Sequence, residues 1–207
     1  MSRPKQRCPE LVFGVDPGMT RTGVVASRFI LEEGTMEILA SATFHSDPSL
    51  LEEVTSRPTH QRVQDLSEEI YAWCSKIRKE YSRADDPFVA VRVAIERPIY
   101  NKNALAFEKQ WRLFQALLHH LTLMCDGVSE VSNGSAKVAM TGGGKASKDE
   151  MVAKASFPLD PFTTAADREA VADAEGIMRA YSKGTYIYGT RWEDPAACVG
   201  PFKEWRK

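Results

Sequence analysis

Two apolar, β-branched runs in this 207-residue chain each stop at a carboxylate. The first, within "FGVDPGMTRTGVV", enters Asp16 and turns on Pro17 and Gly18; the second, "FVAVRVAIE" at residues 88–96, ends on Glu96. A strand core that ends in an acid constrains the fold, because α/β proteins gather ligands outside the C-terminal ends of their strands. Each acid also has a plain explanation. Asp16 can cap a hairpin, since Asp, Pro and Gly form turns for separate steric reasons, and Glu96 can be a solvated strand-end residue. A metal or phosphate site requires further carboxylates from elsewhere in the chain.

Residues 11–16, 22–31 and 35–44 predict three successive strands in an antiparallel meander, broken by Pro-Gly and Glu-Glu-Gly turn signals. Residues 45–59 are polar, contain two prolines, and read as a connection or a short helix. From 60 to 83, Val63, Leu66, Ile70, Trp73, Ile77 and Tyr81 recur at the spacing of one helical face. After the strand at 88–96, a helix over 103–125 carries Phe107, Trp111, Phe114, Leu118 and Leu121 on one stripe. A second apolar set, Leu105, Leu113, Leu117 and Leu123, suits contact with another subunit. A short fifth strand at 128–132, a Gly-rich loop, a helix from Ser147 and a last helix over 164–182 follow. The order predicts an α/β domain with a five-stranded mixed sheet flanked by helices, its two acid-bearing strands side by side.

A composition of 43% hydrophobic and 27% charged residues is that of an ordinary globular domain with one core. No apolar run approaches the roughly 18 residues of a membrane span, and "MSRPKQRCPE" lacks the apolar centre of a signal peptide. A cytoplasmic protein with no membrane partner is expected. Cys8, Cys74, Cys125 and Cys198 form no C-x-x-C pair, so free thiols are expected rather than a zinc site or a disulfide framework. A net charge of −1 and a pI near 6.4 argue against coating DNA with the whole surface. Any nucleic-acid site is then a local basic patch, and one candidate spans 137–154, where four lysines meet only Asp149 and Glu150.

In "TTAADREAVADAEGIMRAY", Asp173 lies among Ala170, Val171, Ala172 and Ala174, small residues that suit a helix packed closely on the sheet. An unpaired acid there is costly to bury and calls for a metal or a cation. Glu169 shares the face of Asp173, Glu175 points away, and Asp167 fits a capping box begun by Thr164. Asp16, Glu96, Glu169 and Asp173 together suit two Mg²⁺ ions about 4 Å apart, hard cations that prefer oxygen donors, and do not suit zinc. His119 and His120 face different directions and read as structural or exposed. The segment "KVAMTGGGKASKDEM" fails as a P-loop twice, at Ala139 and at Ala146. Two readings remain for it: a Gly-rich turn opening into a helix N-terminus, with Lys137, Lys145 and Lys148 placed for phosphate, or a plain loop with a solvated lysine face.

In order, "FGVDPGMTRTGVV", "VAIERPIYNKN", "KVAMTGGGKASKDEMV" and "EAVADAEGIMRAY" resemble the four motifs of the RuvC family of Holliday junction resolvases. The resemblance covers residues 11–182 and implies an RNase H-like nuclease domain over 1–182, with 183–207 as a C-terminal extension. It further implies a homodimer, two Mg²⁺ or Mn²⁺ ions per active site, and paired symmetric nicks in four-way DNA junctions. Asp16, Glu96 and Asp173 match three of the family's four metal-binding acids, and Lys137 and Lys148 match its functional lysines. The fourth acid falls at Ala170, for which Glu169 is the nearest substitute; the stacking aromatic falls at Ile99, beside Tyr100. With Tyr100, the residues Arg97, Asn103, Lys137, Lys145 and Lys148 make up the expected DNA contacts. These departures suit a divergent member, such as a phage-encoded one. A broader branched-DNA nuclease and a non-catalytic junction-binding module are the alternatives. An ATPase or sugar kinase of the actin-like kind, suggested by "VDPG", needs two similar domains, for which the chain is too short.

Overall fold

Alternation of side chains builds the two faces of the central sheet. The structure, a computed structural model, describes residues 9–30, 33–46, 58–82, 88, 90–100, 102–158, 162 and 164–184. Strands β1 (Pro9–Asp16), β2 (Arg21–Ile30) and β3 (Thr35–His45) form the antiparallel meander expected from the turn signals. Helix α1 (Thr59–Tyr81) leads to β4 (Ala90–Glu96), which pairs parallel with β1; α2 (Ala104–Thr122) leads to β5 (Gly127–Val131), parallel with β4. The resulting five-stranded order is β3-β2-β1-β4-β5, with the acid-bearing strands adjacent at its centre.

On β1, Leu11, Phe13 and Val15 face α1 and α2, packing with Ile70, Leu113 and Leu117. Val12 faces the opposite layer of α3 (Asn133–Thr141), α4 (Lys148–Lys154) and α5 (Ala165–Ser182), beside Val25, Ala94, Val171 and Met178. By the same period of two, Gly14, Asp16 and Glu96 also face α5. Gly14 and Gly23 allow that helix to approach closely. A Cβ on Gly23 would strike the Ala170 carbonyl, and one on Gly14 would strike the Ala174 carbonyl and lie 2.8 Å from the Met178 Cβ. The helix backbone thus rests directly on the sheet beside Asp16, whose strand partner is Gly23.

Two expectations are corrected. Residues 133–146 are not one Gly-rich loop: Asn133–Thr141 is helical, with the Ser132 side chain accepting from the Ser135 amide and Gly142 ending the helix at φ 85°. Ala136, Ala139 and Met140 bury one face of this helix, so the glycines form only its C-terminal cap and the turn into α4. The two apolar sets of α2 also interleave. Its buried residues are Leu113 and Leu117 from one set and Phe114 and Leu121 from the other, whereas Leu105 and Leu123 are exposed. Cys74 and Cys125 are free thiols. Cys8, Cys198, residues 47–57 and the extension from 185 onward lie outside the described residues. Among those described, no helix is long and apolar enough to cross a membrane.

Candidate active site

Asp16 and Glu96 emerge from neighbouring parallel strands one position beyond the Val15–Ile95 pair, and α5 brings Asp173 over them. All three are half-buried. Burial pushes the Asp16 carboxyl well above its ordinary value of 3.8, and Glu96 adds charge repulsion and a hydrogen bond that also favour the protonated form. Asp173 is raised to about 6, first by burial and then by Glu96. Lys148 pulls both acids down without reversing either shift. The three carboxylates are brought together with too little positive charge to compensate them.

Two lysines and a fourth acid stand around this group. Lys148 is the first residue of α4, whose N-cap Ser147 forms a full capping box with Glu150. Its Nζ donates to Glu169 Oε2 at 2.5 Å, and this bond is the main cause of the raised Lys148 pKa. Lys137 projects from α3 near enough to lower the Asp173 carboxyl. Glu169 therefore lies beside the group but is engaged with Lys148. Ala170, buried with its carbonyl against Gly23, offers no ligand.

The other expected DNA contacts are dispersed. Lys145 is exposed in the turn between α3 and α4. Arg97 follows Glu96 but lies 3.6 Å from Glu130, and its amide donates to Val131. Asn103 is the N-cap of α2, its side chain accepting from the Ala106 amide. Tyr100 is 59% exposed and meets Phe107 edge-on at 5.6 Å, which leaves much of its ring open to solvent.

Asp167 has a second role that sequence reasoning missed. Beyond capping α5 with Thr164, it takes Arg21 Nε at 2.5 Å and His45 Nε2 at 3.1 Å. Arg21 and His45 are cross-strand partners, a relation that only the register reveals. Glu175 does point away from the acids, and its buried carboxylate accepts from Ser156 and Arg179.

Among the described residues, no three His, Cys, Asp or Glu side chains stand close enough together to enclose an ion. The donor chemistry nevertheless fits a hard divalent cation. Asp16 and Glu96 are in mutual contact, Asp173 interacts electrostatically with both, all their donors are oxygens, and Lys148 and Lys137 only partly offset the raised carboxyls of Asp16 and Asp173.

The architecture is an RNase H-like fold with an acidic group at the ends of its central strands. More narrowly, the fold is that of RuvC. The chain is similar to Thermus thermophilus RuvC in complex with a Holliday junction substrate, at 20% identity over 85% of this chain and 97% of that one, with a TM-score of 0.60. It is likewise similar to Thermus thermophilus RuvC at 20% identity, over 85% of this chain and 98% of that one, with a TM-score of 0.56. No protein-family model matches the chain, and no curated protein does.

The raised acids set a pH dependence. Between 3.8 and about 6 the folded protein retains a proton at Asp173 that the unfolded chain has released. Stability without metal therefore falls as pH rises through that window and stays reduced above it. Asp173→Asn is expected to raise metal-free stability at pH 7, by on the order of 2 kcal/mol, and to leave it nearly unchanged at pH 4. Thermal melts in EDTA at the two pH values check this; a loss of stability at pH 7 would show that the Asp173 charge is compensated.

Proposed function

We propose that the chain is a metal-dependent, structure-selective endonuclease that resolves four-way DNA junctions by paired symmetric nicks. The observation supporting this reading is the electrostatic coupling of Asp16, Glu96 and Asp173, from two adjacent strands and a helix, with only partial offset by Lys148 and Lys137, on a RuvC fold. The RuvC of similar fold was solved with a Holliday junction substrate, which supports branched DNA as the partner here.

Asp16, Glu96 and Asp173 would hold Mg²⁺ or Mn²⁺, two ions per site, with Glu169 as the fourth acid once it leaves Lys148. Bound there, the ions would supply Lewis-acid stabilisation of the phosphodiester and an activated water. Lys148, at the mouth of the site, neutralises charge on the scissile phosphate when Glu169 turns away. Lys137, fixed on α3, supports it. Lys145 and the amides of the Gly142–Gly144 turn follow the DNA backbone, as do Arg97 and Asn103. Tyr100 stacks on an unpaired base at the crossover. The protein acts in the cytoplasm.

A homodimer supplies the two sites that paired nicks require. The interface we propose lies on α2, a reading supported by the 62% exposure of Leu105 and the 36% exposure of Trp111. Trp111 stacks on Phe107 at 5.9 Å and on Phe114 at 5.4 Å, joining that surface to the core.

A non-catalytic junction-binding module is the second reading, favoured by the Lys148–Glu169 pair, which occupies both a proposed ligand and a proposed catalytic lysine. A labelled four-way junction and a linear duplex of matching sequence, each incubated with Mg²⁺ or Mn²⁺ and with EDTA, separate the two. Symmetric, metal-dependent nicks confined to the junction, and lost in Asp16→Asn, are the expected result. Binding that persists in EDTA with no cleavage in metal would favour the module. In sedimentation the protein is expected to run as a dimer and Trp111→Ala to shift toward monomer; an unchanged dimer would move the interface off α2.

A further inference from the structure

Helix α5 carries both Glu169 and Asp173, so its placement on the sheet sets their distance from Asp16 and Glu96. The glycine contacts bring the helix close, but Gly14 and Gly23 have no side chains with which to fix its position along the strands. Polar ties at its two ends supply that restraint. At the C-terminal end, the Tyr181 hydroxyl donates to Glu10 Oε2 at 3.2 Å, and Arg92 Nε donates to Glu10 Oε1 at 3.3 Å, all within the core. At the N-terminal end, Asp167 is 6% exposed and is tied to β2 through Arg21 and to β3 through His45.

The Thr164 hydroxyl also donates to Asp167 Oδ2 at 2.7 Å, so three neighbours hold this side chain, one turn before Ala170 and two residues before Glu169. Arg21 lies two positions before Gly23, the strand partner of Asp16. Any movement of α5 that breaks this tie also moves Glu169 and Asp173 relative to Asp16.

We propose that Asp167, Arg21 and His45 form a positioning clamp that sets the spacing of the α5 acids from the strand acids. They act through the helix and do not touch the substrate. The clamp's effect on turnover rests on the nuclease reading above; its effect on geometry does not.

Arg21→Gln, Asp167→Asn and the double variant test it. The Asn variant retains the amide that donates to Thr164, so the helix cap survives. Each variant is compared with the native protein for kcat and KM on a four-way junction in Mg²⁺, for melting temperature, and by crystallography. A displacement near 1 Å can cost about a hundredfold in rate. A fall in kcat of about tenfold or more in each single variant is therefore expected, with KM within about twofold. The double variant should be no worse than the weaker single, because both remove one contact. Crystal structures should show the first turns of α5 displaced from β2 and Asp173 farther from Asp16. A lower melting temperature with unchanged kcat and an unmoved Asp173 would reduce the contact to a stabilising ion pair and overturn the proposal. A raised KM for Arg21→Gln alone would also overturn it, making Arg21 a DNA contact. If the native protein cuts no junction, the nuclease reading fails separately, and the displacement of Asp173 decides the clamp.

Discussion

The close seating of α5 on the sheet is the contact on which the rest of the site depends. A helix separated from a sheet by ordinary side chains would hold its acids too far above the strand ends. Here the carbonyls of Ala170 and Ala174 occupy the space that side chains on Gly23 and Gly14 would fill. Val171, Ala172, Ala174, Ile177 and Met178 then seal the face with apolar burial. Asp173 is carried into the same narrow layer, where its charge is only partly solvated.

One face of β1 and β4 treats its charges in opposite ways at its two ends. Away from the site, Glu10 is matched by Arg92 and Tyr181, and the Arg92 guanidinium also donates to the Asp126 carbonyl at 3.1 Å. Such a group is satisfied internally and holds sheet and helix together. At the strand ends, Asp16 and Glu96 face each other and Asp173, with Lys148 drawn toward Glu169. The contrast separates structure from function. A buried cation matches the acid that serves the fold, and repulsion only partly offset by lysines marks the acids suited to an external cation.

Much of this was legible in the sequence because it depends on local periodicity. Continuous apolar, β-branched runs put Asp16 and Glu96 at strand ends, and small residues around Asp173 gave a helix pressed on the sheet. What escaped depends on tertiary partners. Helix α3 is short, is capped by Ser132 and runs into three glycines, so the glycine signal masked the Ala136, Ala139 and Met140 face. The Arg21–His45 pairing requires the β2–β3 register, which passes through an irregularity at Ala26 and Ser27. The engagement of Glu169 by Lys148 spans 21 residues and depends on how α4 packs against α5. In α2, two apolar sets competed for one buried face, and sequence spacing alone did not select Leu113, Phe114, Leu117 and Leu121.

If the acids are a cation site kept short of positive charge, metal binding must displace protons from them. Calorimetric titration of Mn²⁺ into metal-free protein near pH 6, in two buffers of different ionisation enthalpy, measures that release directly. Raised Asp16 and Asp173 call for binding with net proton release, reduced in Asp173→Asn and smaller at pH 8 than at pH 6. Absence of Mn²⁺ binding, or binding with no proton released at either pH, would contradict the assignment of these carboxylates as a metal centre.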